Sequence, residues 1–78
     1  MSGKRRGGAD AARKRFGARV RELRLAAGMS QERLADLAGI HRTYVSSLER
    51  GGRNVGLDNI LALADALQVP SSKLFEAL

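Results

Sequence analysis

Three observations predict an all-α domain of five helices. Apolar residues recur at helical spacing from Phe16 onward, one proline is present, and no run of β-branched residues marks a strand. The stretch from Gln31 to Arg50, QERLADLAGIHRTYVSSLER, reads as a helix, a tight turn hinged on glycine and a second helix. At 78 residues with no cysteine, the chain lies near the lower size limit of an unstapled domain. Several of its helices are too short to be stable alone, so they must share a core or complete it with a partner.

Each element has a local cause. Residues 1 to 9 are Gly-rich, charged and free of large apolar groups, which predicts a disordered basic arm ahead of a domain spanning residues 10 to 78. Asp10 is the expected N-cap of a first helix running to Ala27, with Phe16, Val20, Leu23 and Ala27 on one stripe and Gly28 as its stop. Ser30 caps a second helix that reaches about Ala38, places Glu32 in the first turn and buries Leu34, Ala35 and Ala38. The third helix runs from about Arg42 to Arg50 and is closed by Gly51-Gly52. A loop, Arg53-Asn54-Val55-Gly56, leads to a fourth helix from about Leu57 to Leu67, with Ile60, Leu61, Ala64 and Leu67 facing inward and Leu63 also packing. Val69-Pro70-Ser71 then breaks the chain, and Ser71 caps a short fifth helix. That last helix carries Leu74, Phe75 and Leu78, more apolar surface than a terminal turn needs for its own burial. A two-fold dimer interface would use it, and a lid over the first and fourth helices is the competing reading.

Charge and composition exclude more than they assign. The net charge is +6, yet the first fifteen residues hold six of the 14 basic residues and only Asp10 of the 8 acidic ones. A solvated tail would produce the same total, so charge agrees with a nucleic-acid partner without demonstrating one. The absence of cysteine removes disulfides and thiolate metal sites and fits a cytoplasmic location. No apolar run approaches the roughly 20 residues that cross a bilayer, and MSGKRRGGADA has no secretory apolar region. An enzyme is not expected: the single histidine, His41, has no obvious carboxylate pair, and no Gly-rich phosphate loop follows a strand. No metal, cofactor or small-molecule ligand is predicted.

The helix-turn-helix spacing does carry chemistry. Ala35 falls where two helices cross too closely for a larger side chain, Gly39 falls in the turn, and Ile40, Val45 and Leu48 lock the second helix of the motif on the first. Such a helix enters the major groove N-terminus first, so His41, Arg42, Thr43 and Tyr44 lead, with Ser46 and Ser47 one turn behind. Arg42 can donate two hydrogen bonds to guanine O6 and N7. Thr43 offers a hydroxyl and a methyl that suits thymine. Tyr44 reads equally as a groove-edge contact and as a half-buried packing residue. Gln31 opens the second helix, where free backbone N–H groups and its amide would meet a phosphate. Arg50, Arg53 and Asn54 gather in the following loop as a phosphate clamp, while His41 reads as a cap or a surface residue.

The segment MSQERLADLAGIHRTYVSSLERGGRNVGLDNILALADALQVP resembles the Cro/cI type, XRE-like helix-turn-helix of the lambda-repressor-like fold, over residues 16 to 78. Within that type, RTYVSSLERGGRN in so small a chain most resembles the controller proteins of restriction-modification systems. The resemblance implies a homodimer that binds double-stranded DNA at palindromic operators and regulates, as repressor and activator, its own gene and that of the endonuclease. It implies DNA-reading positions at Arg42, Thr43, Tyr44, Ser46, Ser47, Arg53 and Asn54. It also implies an ion pair between Arg24, on the inward shoulder of the first helix, and Glu49, at the end of the recognition helix. Two features depart from the family pattern: Gly51-Gly52 reads as a looser link than one glycine, and the Lys4-Arg5-Arg6 arm has no counterpart. A phage-like repressor shares most of these features. An antitoxin-type protein, whose apolar C-terminal helix binds another protein, is a further alternative. A basic membrane-surface helix would need more aromatic residues facing lipid than Phe16.

Overall fold

Ser2–Ala26 (α1), Gln31–Ala38 (α2), Arg42–Glu49 (α3) and Leu57–Leu67 (α4) are α-helical in the computed structural model, and a 3-10 turn, Ser71–Phe75, closes the chain. The structure describes the backbone of Ser2 to Glu76 and of Leu78, and the side chains of these residues from Gly8 onward. No strand occurs among the described residues, so the all-α expectation holds.

Helix ends follow the local signals where these are strong. Gly28 and Gly39 take left-handed φ values of 71° and 70°, directing the next amides back to buried carbonyls. Met29 N–H donates to Arg24 O at 3.1 Å, and Ile40 N–H donates to Ala35 O at 3.0 Å. Gln68 closes α4 in the same way at φ 57° without being glycine. Ser30 Oγ accepts from Arg33 N at 2.9 Å and caps α2.

Four expectations need correction. There is no fifth α-helix: five residues after Pro70 close a 3-10 turn, in which Lys73 N–H donates to Pro70 O at 2.9 Å. Pro70, not Ser71, stands at the cap position, and no side chain caps the turn. α1 begins at Ser2 instead of at Asp10, so Asp10 lies inside the helix, where it pairs with Arg13 three residues along it instead of capping an end. The expected location of any DNA contact by the Lys4, Arg5 and Arg6 side chains lies outside the described side chains. Finally, α3 ends at Glu49, with Arg50 as its C-cap.

The core is built from Phe16, Val20, Leu34, Ala35, Val45, Leu48, Leu63, Ala64, Ala66, Leu67 and Leu74. Leu61, expected to face inward, is half exposed, and Leu63 is fully buried. Leu61 lies beside the polar face that Asp58 and Asp65 form three and four residues away, at the edge of the stripe that buries Leu63, Ala64 and Leu67. Ala27 is likewise exposed, and Arg24 takes the buried place at that end of α1.

Two glycines set the crossing of α1 over the end of α3. A Cβ on Gly17 would run into Leu48 O and stand 2.8 Å from Glu49 O, so only glycine lets the two backbones meet. Gly51 has φ +80°, and a Cβ there would lie 2.9 Å from Lys14 Cα and 2.6 Å from its Cγ. A Cβ on Gly52 would stand 2.9 Å from Ser47 Oγ. The glycine pair is therefore a tight corner packed against α1, not a loose link.

Candidate nucleic-acid interface

α3 shows its outer face to solvent because Val45, Leu48 and Glu49 hold its inner face in the core. Its start is set by His41, whose Nδ1 accepts from Thr43 N at 3.1 Å and lies 2.8 Å from Thr43 Oγ1. The histidine is thus the N-cap of the exposed helix. This cap holds Thr43 in place, and Arg42 beside it is exposed.

Behind that edge the groups are partly engaged with one another. Tyr44 is half-buried against the core, and the Arg53 guanidinium carbon lies 5.1 Å from its ring centroid. The expected packing role of Tyr44 is thus present, and the outer side of its ring supports the Arg53 guanidinium. Arg50 Nη1 donates to Ser46 Oγ at 2.6 Å. Ser47 turns to the glycine corner, where its carbonyl accepts from Gly52 N at 2.9 Å. Among the described residues, Arg42, Arg50 and Arg53 form no salt bridge with a carboxylate. Exposed, uncompensated guanidinium groups at both ends of α3, Arg42 at its start and Arg50 and Arg53 after its end, are suited to a polyanion.

This surface is held from beneath by a buried polar knot. Arg24 Nε and Nη2 donate to Glu49 Oε2 and Oε1 at 2.7 and 3.0 Å, and Arg24 Nη1 donates to Met29 O at 2.8 Å. Gln31 Nε2 completes the carboxylate's shell at 3.0 Å from Oε1. Hydrogen bonding to Glu49 raises the Arg24 pKa above its ordinary value, its negative charge adds to this, and burial opposes it. One knot thus ties α1, the loop before α2, the start of α2 and the end of α3. Gln31, expected as a free donor for phosphate, spends its amide on this knot.

The residues expected at a dimer interface separate. Leu74 is fully buried in the protomer's own core and is not available to a partner. Phe75 and Leu78 are 43 % and 53 % exposed, and the Phe75 ring sits 5.5 Å from that of Phe16 at a 40° tilt. They border an open cleft of about 150 Å³ together with Phe16, Val55, Ile60 and Asn54. Asn54, expected in the clamp, thus borders this apolar cleft as well as the loop.

Sequence reasoning overlooked three residues that organise this surface. Gly17 and Lys14 make the crossing described above. Arg19 pins the C-terminal turn to α1 by donating to Lys73 O at 2.9 Å and to Glu76 Oε1 at 2.7 Å. A glycine inside a helical pattern, seven residues before Arg24, was a visible sign of close backbone approach. Nothing local marked Lys14 or Arg19. Among the described residues no cluster of His, Asp and Glu could hold a metal ion, and no helix is long and apolar enough to cross a membrane.

Comparison with known proteins agrees with this geometry. The helix-turn-helix family model matches residues 20–74. The control protein C.BamHI of Bacillus amyloliquefaciens is 50% identical over 62 residues, which are 78% of this chain and 76% of that protein. The control protein C.SmaI of Serratia marcescens is 47% identical over 55 residues, 70% of this chain and 66% of that protein. The crystal structure of the restriction-modification controller protein C.AhdI from Aeromonas hydrophila superposes with a TM-score of 0.82 at 55% identity, covering 83% of this chain and 98% of that one. Motif, fold and relatives coincide, and the chain belongs to the helix-turn-helix family of restriction-modification control proteins.

Proposed function

We propose that this protein works in the cytoplasm as a homodimer that binds palindromic operators on double-stranded DNA and regulates its own gene and that of a restriction endonuclease. The observation that carries the reading is the exposed edge of α3, with Arg42 and Thr43 in front and the unpaired Arg50 and Arg53 behind. Arg42 would read guanine O6 and N7, and Thr43 would meet a thymine methyl. Arg50 and Arg53 would hold phosphates and so fix the register of α3 in the groove. The Arg24–Glu49–Gln31 knot keeps α2 and α3 at one angle, so little of the binding energy is spent on ordering them. Two copies related by a two-fold axis would present their α3 helices about 34 Å apart, one turn of duplex, which matches an inverted repeat.

The test titrates the protein into the duplex upstream of its own coding sequence and into a scrambled duplex of equal length. Sedimentation is followed in the same buffers. The reading requires two protomers per duplex and a preference of about a thousandfold or more for the upstream sequence. Equal affinity for both duplexes overturns it.

A further inference from the structure

The N-terminal half of α1 reaches the same corner of the molecule as the phosphate-facing loop, although no part of the helix-turn-helix motif lies there. Gly51 follows Arg50 directly and stands two residues before Arg53, and it lies so near Lys14 that a Cβ on it would stand 2.6 Å from Lys14 Cγ and 2.9 Å from Lys14 Cα. The Lys14 side chain is exposed beyond this contact. Three other cations on α1 are compensated, Arg13 by Asp10, Arg19 by Glu22 and Glu76, and Arg24 by Glu49. Arg15 and Arg21 are exposed without a carboxylate partner among the described residues, but they make none of the close approaches found at the Gly51 corner. Among the described residues Lys14 has no such partner, and neither do Arg50 and Arg53. The amides of Gly51 and Gly52 donate to Leu48 O and Ser47 O, so an anion at this corner must be held by side chains.

We propose that Lys14 is a DNA-phosphate ligand that acts with Arg50 and Arg53, extending the interface from the helix-turn-helix onto α1. The proposal rests on the DNA-binding reading above. The first part of its stem is fixed against the Gly51 backbone, so less rotamer freedom is lost when the ammonium meets a phosphate than for a lysine free along its whole length. The same packing gives the corner its glycine: any side chain at position 51 would displace the lysine stem.

The experiment compares the parent protein with Lys14→Gln and Lys14→Arg on the upstream duplex and on a scrambled duplex, across several salt concentrations. Thermal melts of all three proteins run alongside. Lys14→Gln is expected to melt like the parent, to bind both duplexes more weakly by a similar factor of about three to ten, and to lower the salt slope by about 0.9. Lys14→Arg should keep the parent's affinity and slope. An unchanged slope for Lys14→Gln overturns the proposal, as does a loss confined to the upstream duplex, which would make Lys14 a base reader. Equal weakening by Arg and Gln, with a lowered melt, would make it a packing residue and also overturns the proposal. If the parent itself does not prefer the upstream duplex, the operator reading fails, while the slope change still decides the phosphate contact.

Discussion

Arg24 and Glu49 meet across 25 residues of sequence as a two-pronged ion pair, their side chains 8 % and 2 % exposed. Each oxygen of the carboxylate has a donor, and Gln31 shares one of them. Removing one charge from such a pair leaves the other buried without compensation, at a cost of about 3 to 5 kcal/mol. Glu49→Gln should therefore lose on the order of that stability in a denaturant titration. A midpoint equal to the parent's would show that the carboxylate contributes nothing to the fold.

Gly17 predicts a steep steric effect. Gly17→Ala drives a methyl into the carbonyls at the end of α3 and should destabilise the domain by about 1 to 3 kcal/mol, despite the better helix propensity of alanine. Gly8→Ala is the matched comparison, because nothing lies within 4 Å of the added carbon. Its melting midpoint should not fall. If the two variants melt alike, the close crossing of α1 over α3 is absent in solution.

Leu74 and Phe75 are neighbours with opposite expected phenotypes. Leu74→Ala empties a fully buried site and should cost about 2 to 5 kcal/mol of protomer stability. Phe75→Ala removes a ring that is 43 % exposed and should leave a folded chain that sediments as a monomer. Ultracentrifugation and circular dichroism of both variants separate these effects. A Phe75→Ala protein that remains dimeric removes this residue from the interface.

Arg42 separates sequence reading from general attraction. Arg42→Ala should lose about 1 to 3 kcal/mol on the upstream duplex and tolerate base changes opposite that residue. Fluorescence anisotropy against a set of single-base variants measures both. Equal losses on upstream and scrambled duplexes would make Arg42 a phosphate ligand, and the leading edge of α3 would not be the reading edge.

The bounds of α2 and the start of α3 were legible in the sequence because the signals are local: Ser30 and His41 at caps, and Gly28 and Gly39 where the backbone turns left-handed; α4, whose start has no side-chain cap, was legible from its apolar spacing. Those effects act within one turn of the chain and need no knowledge of the fold. The motif that marks the family is of the same kind, a set of offsets inside twenty residues. Tertiary structure decided what local signals leave degenerate. Leu61 faces out and Leu63 faces in because Leu61 sits at the border of the apolar stripe beside Asp58 and Asp65, where the packing of the neighbouring helices decides which side is covered. Leu74 enters the protomer's own core while Phe75 stays at the surface, because a 3-10 turn points adjacent side chains in different directions. Gln31 became a core ligand of Glu49, and Lys14 became a neighbour of Gly51, through contacts between segments 18 and 37 residues apart. Contacts at that separation depend on how whole helices cross. Two backbones meet there only because Gly17 and Gly51 have no side chain to keep them apart.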